Sequence, residues 1–213
     1  MMSLVISVTA SLLVAPAALP VASAAPCPEV EVVFARGRVE PPGTGRIGTA
    51  FINALRTKTD KNVGYYAVNY PADTEIMLGA NDMSRRIQSM AAKCPNTDLV
   101  LGGYSLGAAV TDVVLAVPSA IFGYTNPLPL GMNDHIAAVA LFGNGTRKIL
   151  GPVSDVSPLW GAKTIDLCTA NDPVCNDNLE PETWAGNWSA HLYGAYVDSG
   201  LVDQAASFVA ARL

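Results

Sequence analysis

Apolar residues along this chain fall into two patterns: short continuous runs, and longer stretches in which they recur at helical spacing. Continuous apolar runs are typical of strands that are buried on both faces of a sheet. They predict strands at 30–36, 63–70, 98–104, 136–142 and 163–167. Apolar positions three and four residues apart indicate amphipathic helices. They predict helices at 45–57, 75–93, 106–117 and 202–213.

The predicted strands and helices alternate along the chain, which is the order found in α/β proteins. Such a chain forms a three-layer domain with right-handed crossovers, and its continuous apolar strands indicate a mainly parallel sheet. We therefore expect a central five-stranded sheet with helices on both faces. Three segments rich in Pro, Gly and Asn are candidates for the rim of a site: 118–135, 143–162 and 176–190.

The first 25 residues contain no charged side chain and end in small residues at 22–24. This pattern is typical of a secretory signal peptide cleaved near those residues, although no Lys or Arg precedes the apolar stretch. An N-terminal membrane anchor is the alternative, and Pro16 and Pro20 within the stretch favour the cleaved signal. The expected organisation is a signal peptide at 1–25 and a single domain at 26–213.

The composition is that of a folded domain that binds neither nucleic acid nor the membrane interior. Hydrophobic residues make up 50% of the chain, and 18 acidic residues outnumber 13 basic ones, for a net charge of −5. Because the sequence has no basic stripe, nucleic acid binding is disfavoured. No second apolar stretch reaches the roughly 20 residues of a membrane span. We expect a secreted monomer, either free or peripheral to a lipid surface or cell wall.

The four cysteines of the chain support export, because disulfides persist in oxidising compartments. Four cysteines allow three pairings. The short separation favours a Cys168–Cys175 bridge that closes a local loop, which leaves Cys27 to pair with Cys94 by elimination. A zinc site is the alternative use. The chain has no Cys-x2-Cys spacing and only two histidines, so we expect no metal.

The sequence GYSLG at 103–107 matches G-x-S-x-G and lies between a predicted strand and a predicted helix. This context is that of a nucleophile elbow, in which a strained turn exposes the serine hydroxyl. Ser105 would also lie at a helix N-terminus, where the helix dipole stabilises a developing anion. The alternative is a glycine-rich turn with an incidental serine. The strand–turn–helix context favours Ser105 as a nucleophile.

A catalytic serine needs a general base, and the chain has two histidines, His135 and His191. His135 directly precedes the strand at 136–142, so it is expected at the amino end of that strand. Sites in open α/β sheets form outside the carboxyl ends. His191 follows the last predicted strand and obeys the order Ser, acid, His of α/β-hydrolases. We therefore expect His191 to be the base.

The third group of a triad should lie between the nucleophile and the base, and it should orient the imidazole. Asp172 follows the carboxyl end of the strand at 163–167, inside the loop that the predicted local disulfide would hold. We expect Asp172 to be this acid, with Asp177 as the second choice. An ordinary Asn-Asp-Pro turn is the alternative explanation for Asp172. The other acids considered are Asp112, Asp134, Asp155, Asp166, Glu180 and Glu182.

An oxyanion hole requires backbone N–H groups that point at the reacting carbonyl oxygen. One is expected from Leu106, the residue after the nucleophile. The other is expected from the loop after the first strand, at 36–39.

Two further patterns in the sequence, a glycine motif and three tryptophans, have simpler explanations than ligand binding. The segment 43–48 matches G-x-G-x-x-G, but six residues separate it from the preceding strand and no acid ends the second strand. A flexible turn into a helix therefore explains it better than dinucleotide binding does. Trp160, Trp184 and Trp188 are candidates for an apolar acyl site, although packing is the commoner role of aromatic residues.

Taken together, these stretches resemble the cutinase family of serine esterases, in particular the cutinase-like proteins exported by mycobacteria. The matching segments cover nearly all of 26–213 and read VVFARG, YAVNYPA, CPNTDLVLGGYSLGAAV, HIAAVALFGN, TIDLC and NDPVC. The resemblance implies a cutinase-like α/β-hydrolase fold, usually without a large lid, and hydrolysis of carboxylic esters without a cofactor. It also implies both disulfide pairings favoured above and a triad of Ser105, Asp172 and His191.

Two positions depart from the family pattern. The family commonly has Gln after the nucleophile, where this chain has Leu106. It commonly has Ser or Thr, whose hydroxyl helps to bind the oxyanion, where this chain has Arg38. Both residues still offer a backbone N–H, but losing one oxyanion donor can reduce kcat by ~10²–10³. Either Arg38 binds an anionic group, or the activity is weak.

The sequence thus predicts a secreted serine esterase that acts on lipid or other acyl esters through an acyl-enzyme. Acyl transfer to an alcohol or sugar by the same triad is the alternative within enzymes. A catalytically weak cell-wall or lipid-binding protein with the same fold is the alternative outside them. The departures at Leu106 and Arg38 support that last alternative, and the complete Ser-Asp-His set opposes it.

Overall fold

A computed structural model describes residues 26–176, 178–179 and 183–213, apart from the side chain of Trp184. The predicted signal peptide at 1–25 lies outside the described residues. So do three of the acids considered as members of a triad: Asp177, Glu180 and Glu182.

Among the described residues, five strands form one parallel sheet in the spatial order β2-β1-β3-β4-β5. They are β1 Val30–Ala35, β2 Val63–Ala67, β3 Asp98–Tyr104, β4 Ile136–Phe142 and β5 Thr164–Leu167. The prediction of a mainly parallel five-stranded sheet is confirmed. Because neighbouring strands run in the same direction, their carboxyl ends meet at one edge, and the loops that follow them can share a site.

The second strand ends at Ala67, earlier than the apolar pattern predicts. The backbone carbonyl oxygens beyond it accept hydrogen bonds from a side chain and not from a neighbouring strand. The Val68 N–H still donates to the Phe34 carbonyl oxygen at 3.0 Å. Beyond this bond, the buried Arg36 guanidinium donates to the carbonyl oxygens of Val68 and Tyr70, at 3.5 and 2.7 Å. A charged side chain thus replaces the sheet ladder at this point, which hydrophobicity along the sequence does not reveal.

The predicted helices are present with small changes at their ends, as α1 Gly45–Arg56, α2 Ile76–Lys93, α3 Leu106–Ala116 and α9 Leu201–Ala210. Shorter helices lie between α3 and α9, namely α4 Arg147–Leu150, α5 Val153–Val156, α6 Pro158–Gly161, α7 Trp184–Asn187 and α8 Tyr193–Asp198. The sequence predicts loops for most of this region, because a helix of about one turn is too short to show a helical period. No helix of the described residues combines the length and apolar character that crossing a bilayer requires.

Successive residues of the strands pack against helices on opposite faces of the sheet. On one face, Val33 and Leu101 belong to a buried cluster with side chains of α2 and α3 such as Met83. On the other face, Phe34 belongs to a cluster with side chains of α1 and α9 such as Phe51. Each large side chain buried in this way stabilises the fold by about 1.5–3 kcal/mol. The sheet is therefore a firm support for the groups at its carboxyl edge.

Two disulfides hold the ends of elements in place. Cys27 and Cys94, with Cα atoms 5.6 Å apart, join the segment before β1 to the end of α2. Cys168 and Cys175, with Cα atoms 5.8 Å apart, close the loop that follows β5. The structure therefore has the pairing that the sequence spacing favours.

Candidate active site

Ser105 lies in a sharp turn between β3 and α3, with φ of 54° and ψ of −116°. Positive φ is strained for a residue with a side chain. The flanking glycines make the turn possible. A Cβ on Gly103 would lie 2.1 Å from the Gly107 carbonyl oxygen, and one on Gly107 would lie 2.0 Å from the Ala35 carbonyl oxygen. The Ser105 N–H donates to the Phe142 carbonyl oxygen at 2.8 Å, which fixes the serine at the carboxyl edge.

His191 ends the 3-10 turn Trp188–His191 and turns its ring toward the serine. Its Nε2 lies 2.8 Å from Ser105 Oγ. The imidazole stacks on the Tyr104 ring with centroids 5.2 Å apart, and the Tyr104 hydroxyl donates to the His191 carbonyl oxygen. Gly143 has φ of 59°, and a Cβ there would lie 2.9 Å from His191 Cε1. Glycine at this position therefore allows the ring to approach the serine.

Asp172 is fully buried in the loop after β5 and reaches the other nitrogen of the imidazole. Its Oδ2 lies 2.7 Å from His191 Nδ1, and its Oδ1 accepts the N–H of Val174 at 2.7 Å. The local disulfide closes the loop around it. Because a carboxylate only accepts, His191 Nδ1 carries the hydrogen and Nε2 is left to take a proton from the serine hydroxyl. This arrangement can activate a serine nucleophile.

The remaining candidates lie elsewhere. His135 ends the 3-10 turn Met132–His135 at the amino end of β4, opposite the serine. Asp112 is buried within α3, where burial raises the pKa of its carboxyl group and Asn144 Nδ2 donates to it at 2.8 Å. The other described acids, in the 3-10 turn, in α5 and in β5, are Asp134, Asp155 and Asp166. Of the described candidates, the structure brings together the nucleophile, His191 and Asp172.

The sequence predicts two backbone N–H groups for the oxyanion hole, those of Leu106 and Arg38. Leu106 is the first residue of α3, and Arg38 lies in the loop after β1, the strand that pairs with β3. Within the described part of the chain, neither N–H donates to a protein acceptor. Both can therefore bind an oxygen that becomes negative during a reaction. The Arg38 side chain is exposed.

The loop that carries Arg38 is held by a carboxylate whose role the sequence pattern does not reveal. Glu40 accepts the N–H groups of Gly37 and Arg46, at 2.7 and 2.8 Å, and so ties the loop to the first turn of α1. The same carboxylate occupies the helix N-terminus that a phosphate would need. The G-x-G-x-x-G match at 43–48 therefore does not form a dinucleotide site.

Aromatic side chains complete the site, and one of them has no signal in the sequence. Tyr196 of α8 is fully buried, and its hydroxyl donates to Asp172 Oδ2. The helix that carries it is too short to display a pattern. Trp188 is 51% exposed beside His191, with ring centroids 5.2 Å apart, so it borders the site. Trp160 is buried in the core between the sheet and α3, where it has the packing role.

Exposed apolar side chains adjoin each part of the site. Val39 follows the oxyanion loop residue Arg38, whereas Trp188 and Leu192 flank His191 along the chain. The acyl part of an ester gains about 0.8 kcal/mol for each CH₂ group that it removes from water. Of these side chains, Trp188 lies against the His191 ring and can therefore offer apolar contact to an acyl chain bound beside the serine.

Metal binding at this site is opposed by the state of its sulfur atoms. Cys168, Asp172 and Cys175 place potential ligand atoms within 4.8 Å of one another, and they form the one such group in the described residues. Both sulfurs are joined in a disulfide, so neither is the thiolate that binds metals. The two cysteines therefore form the disulfide that closes the loop carrying Asp172.

Comparisons with known proteins find similar sequences and a similar fold. The family model described as Cutinase matches residues 26–213. "Probable carboxylesterase Culp2" of Mycobacterium tuberculosis is 63% identical over 198 residues, which cover 93% of this chain and 85% of the relative. "Phospholipase Culp4" of the same species is 51% identical over 207 residues, or 96% and 87% of the two chains. A cutinase from Trichoderma reesei, solved with a phosphonate inhibitor, has a TM-score of 0.62 at 31% identity, covering 86% of this chain and 76% of its own.

Proposed function

The chain belongs to the cutinase family of serine ester hydrolases, and from that premise we propose that Ser105, His191 and Asp172 are its catalytic triad. The reaction is the hydrolysis of carboxylic esters through a covalent acyl-enzyme. The observation that carries the proposal is the continuous hydrogen-bonded chain from serine to imidazole to buried carboxylate, with distances of 2.8 and 2.7 Å. Both distances lie within the range of about 2.6–3.2 Å that proton transfer requires.

Each group has one task in the reaction. His191 Nε2 takes the Ser105 proton as Oγ attacks the ester carbonyl, and the new oxyanion is bound by the N–H groups of Leu106 and Arg38. Collapse of the tetrahedral intermediate breaks the ester bond, and the leaving alcohol takes the proton from His191. Water then attacks the acyl-serine, again with His191 as base, and releases the acid. Asp172 holds the tautomer and stabilises the imidazolium throughout.

A covalent adduct tests the proposal directly. We expect a fluorophosphonate probe to react with one equivalent of protein and to abolish ester hydrolysis in proportion, because the probe traps an activated serine. Peptide mass spectrometry should place the adduct on Ser105. Labelling of another residue at the same rate, or a folded protein that hydrolyses esters without being labelled, would contradict the proposal.

We also propose that the domain at 26–213 is exported with 1–25 as a signal peptide. The uncharged apolar composition of that segment supports this proposal. So do the two disulfides of the described residues, because such bonds persist in oxidising compartments.

Arg38 favours an ester with an anionic group as the natural substrate. Its guanidinium is exposed and forms no salt bridge in the described residues, and the carboxylate whose pKa it helps to lower, that of Asp73, is fully exposed to solvent. The relative named a phospholipase makes a phospholipid the class of anionic ester to test. An exposed pair of opposite charges 4 Å apart attracts by about 1 kcal/mol in water, which is roughly a fivefold effect on a rate.

We expect Arg38→Ala to lower kcat/KM for phosphatidylglycerol about fivefold and to change kcat/KM for phosphatidylcholine by less than about twofold. Alanine keeps the backbone N–H, so the oxyanion interaction remains. Mixed micelles of either lipid at low and at 1 M salt measure the effect, which salt should screen. Arg212→Ala, which removes an exposed arginine beyond α9, is the matched control. Equal losses on both lipids, or the same selectivity change in the control, would rule out headgroup recognition by Arg38.

A further inference from the structure

We infer that Tyr196 is a positioning residue for ester hydrolysis, because its hydroxyl shares the Oδ2 atom of Asp172 with the His191 imidazole. The inference rests on the proposed triad and adds a fourth group to it. Tyr196 is separated from the substrate by Asp172 and His191, so it acts through them.

The carboxylate of Asp172 receives three donors in the described structure. Its Oδ1 accepts the N–H of Val174 at 2.7 Å. Its Oδ2 accepts both His191 Nδ1–H at 2.7 Å and the Tyr196 hydroxyl. One oxygen is therefore held by the backbone of the loop, and the other is held between two side chains. Among the described residues, the phenol is the single side-chain donor to this carboxylate besides the base itself.

The position of the phenol is fixed by tight packing. Its ring meets Tyr104 and Phe142 edge to face, with centroids 5.9 and 6.3 Å apart. Its oxygen lies 3.4 Å from Cys175 Sγ, and a Cβ on Gly143 would lie 2.9 Å from it. The side chain is fully buried and has little room to turn away. It is therefore placed to hold the Asp172 carboxylate in one orientation.

The protonation of the phenol makes it a donor throughout the working range of an imidazole base. Burial, and then the negative charge of Asp172, raise the pKa of Tyr196 well above its usual value. A neutral phenol that donates to Oδ2 withdraws charge from the carboxylate. It therefore limits how strongly Asp172 stabilises the imidazolium form of His191. This effect on the base separates a positioning role from simple packing.

The other charged and titratable groups near the pair come from three elements. Tyr104, at the end of β3, is buried, and burial raises its pKa, so it stays neutral. Glu40, from the loop after β1, and Arg46, from α1, influence Tyr104 in opposite directions. Ser105 faces the opposite nitrogen of the ring. None of these groups contacts Asp172 Oδ2, so removing the phenol changes that atom selectively.

We expect Tyr196→Phe to lower kcat about tenfold with little change in KM, because the Asp172 carboxylate loses the contact that fixes its orientation toward His191, and this loss outweighs the stronger charge on the carboxylate. The acid limb of the kcat/KM profile should also move. Without the phenol, Asp172 carries more negative charge toward the imidazole, and the charged form of the ring is favoured. The acid limb should therefore move to higher pH, by about half a unit.

Two comparisons separate positioning from loss of packing. Tyr124→Phe is the matched control, because Tyr124 is also fully buried and its hydroxyl is hydrogen-bonded, among others to Ser84 at 2.8 Å. Combining Tyr196→Phe with Asp172→Asn should add little to the loss that Asp172→Asn causes alone, since the phenol acts through that carboxylate. A fluorotyrosine placed at 196 is a stronger donor, and it should move the acid limb to lower pH.

A folded Tyr196→Phe enzyme with unchanged kcat and an unchanged acid limb would overturn the inference. So would an equal loss in Tyr124→Phe, or full additivity with Asp172→Asn. The fluorotyrosine protein keeps the inference testable if the phenylalanine variant does not fold. Ser105→Ala is assayed alongside: turnover that survives it would overturn the proposed triad as well. If Ser105→Ala has no turnover while Tyr196→Phe keeps the wild-type kcat and acid limb, only the role of Tyr196 is overturned.

Discussion

Replacing Ser105 with alanine is expected to lower kcat for ester hydrolysis by about 10⁶, the loss that follows removal of a triad nucleophile. The turn would persist, since the glycines at 103 and 107 and the bond from the residue-105 N–H to Phe142 do not involve the hydroxyl. A residual rate of about 10³–10⁴ over water should remain from the oxyanion N–H groups. Hydrolysis of p-nitrophenyl esters from C2 to C16 by the oxidised protein measures both values.

Ser207→Ala is the control for this substitution. Ser207 lies in α9, and its hydroxyl donates to a backbone carbonyl on the exposed side of the helix, so kcat should keep the wild-type value. Turnover by purified, folded Ser105→Ala protein within tenfold of wild type would remove Ser105 from the mechanism. Absence of turnover in the wild-type protein, with both disulfides formed, would instead favour a lipid-binding protein that retains the fold.

The fold could be predicted from the sequence because a parallel sheet buried on both faces leaves a simple signal. The strands β3 and β4 have the predicted bounds, since all their residues after Asp98 are apolar, aromatic or small and most of them pack into one core or the other. The end of β2 could not be predicted in the same way. There, Arg36 supplies donors from a neighbouring strand, and a contact across the sheet has no local pattern.

In the candidate site as well, residues with a local sequence signal could be predicted and residues without one could not. Ser105 has a local motif, and His191 and Asp172 follow from chain order and from the rule that sites form at carboxyl ends. Tyr196 and Glu40 are recognised by their hydrogen bonds. The partner of Tyr196 is 24 positions away, and Glu40 joins the loop after β1 to the first turn of α1. Neither contact produces a hydrophobic period or a motif, so the structure was needed to find them.

The loop of Asp172 shows what a disulfide contributes beside the proposed acid of the triad. The loop contributes one backbone donor, from Val174, and the Cys168–Cys175 bond limits how far that donor can move. The remaining donors come from α8 and the turn before it, through Tyr196 and His191. A carboxylate that meets donors on both oxygens has one orientation that satisfies all of them. Asparagine at this position could not accept hydrogen bonds on both sides, because only one end of an amide is an acceptor.

Asp172→Asn is therefore expected to lower kcat by about 10⁴ while KM changes by less than about threefold. An amide has one acceptor oxygen. If that oxygen faces His191 and Tyr196, the NH₂ group points at the N–H of Val174, and two donors meet without an acceptor. If it faces Val174, the NH₂ group opposes the imidazole, which then carries its hydrogen on Nε2 and cannot take the serine proton. Either arrangement removes the productive tautomer or strains the loop.

Steady-state kinetics with a short-chain p-nitrophenyl ester measures this loss, and the fluorophosphonate labelling rate at Ser105 should fall in parallel because it needs the same base. Asp134→Asn is the matched control, since Asp134 is an exposed acid at the amino end of the sheet, and its kcat should equal that of the wild type. Asp177→Asn tests the second choice made from the sequence. A tenfold or smaller loss in Asp172→Asn, together with a large loss in Asp177→Asn, would transfer the role of orienting His191 to Asp177. A large loss confined to Asp172→Asn would leave the buried carboxylate as the group on which the base depends.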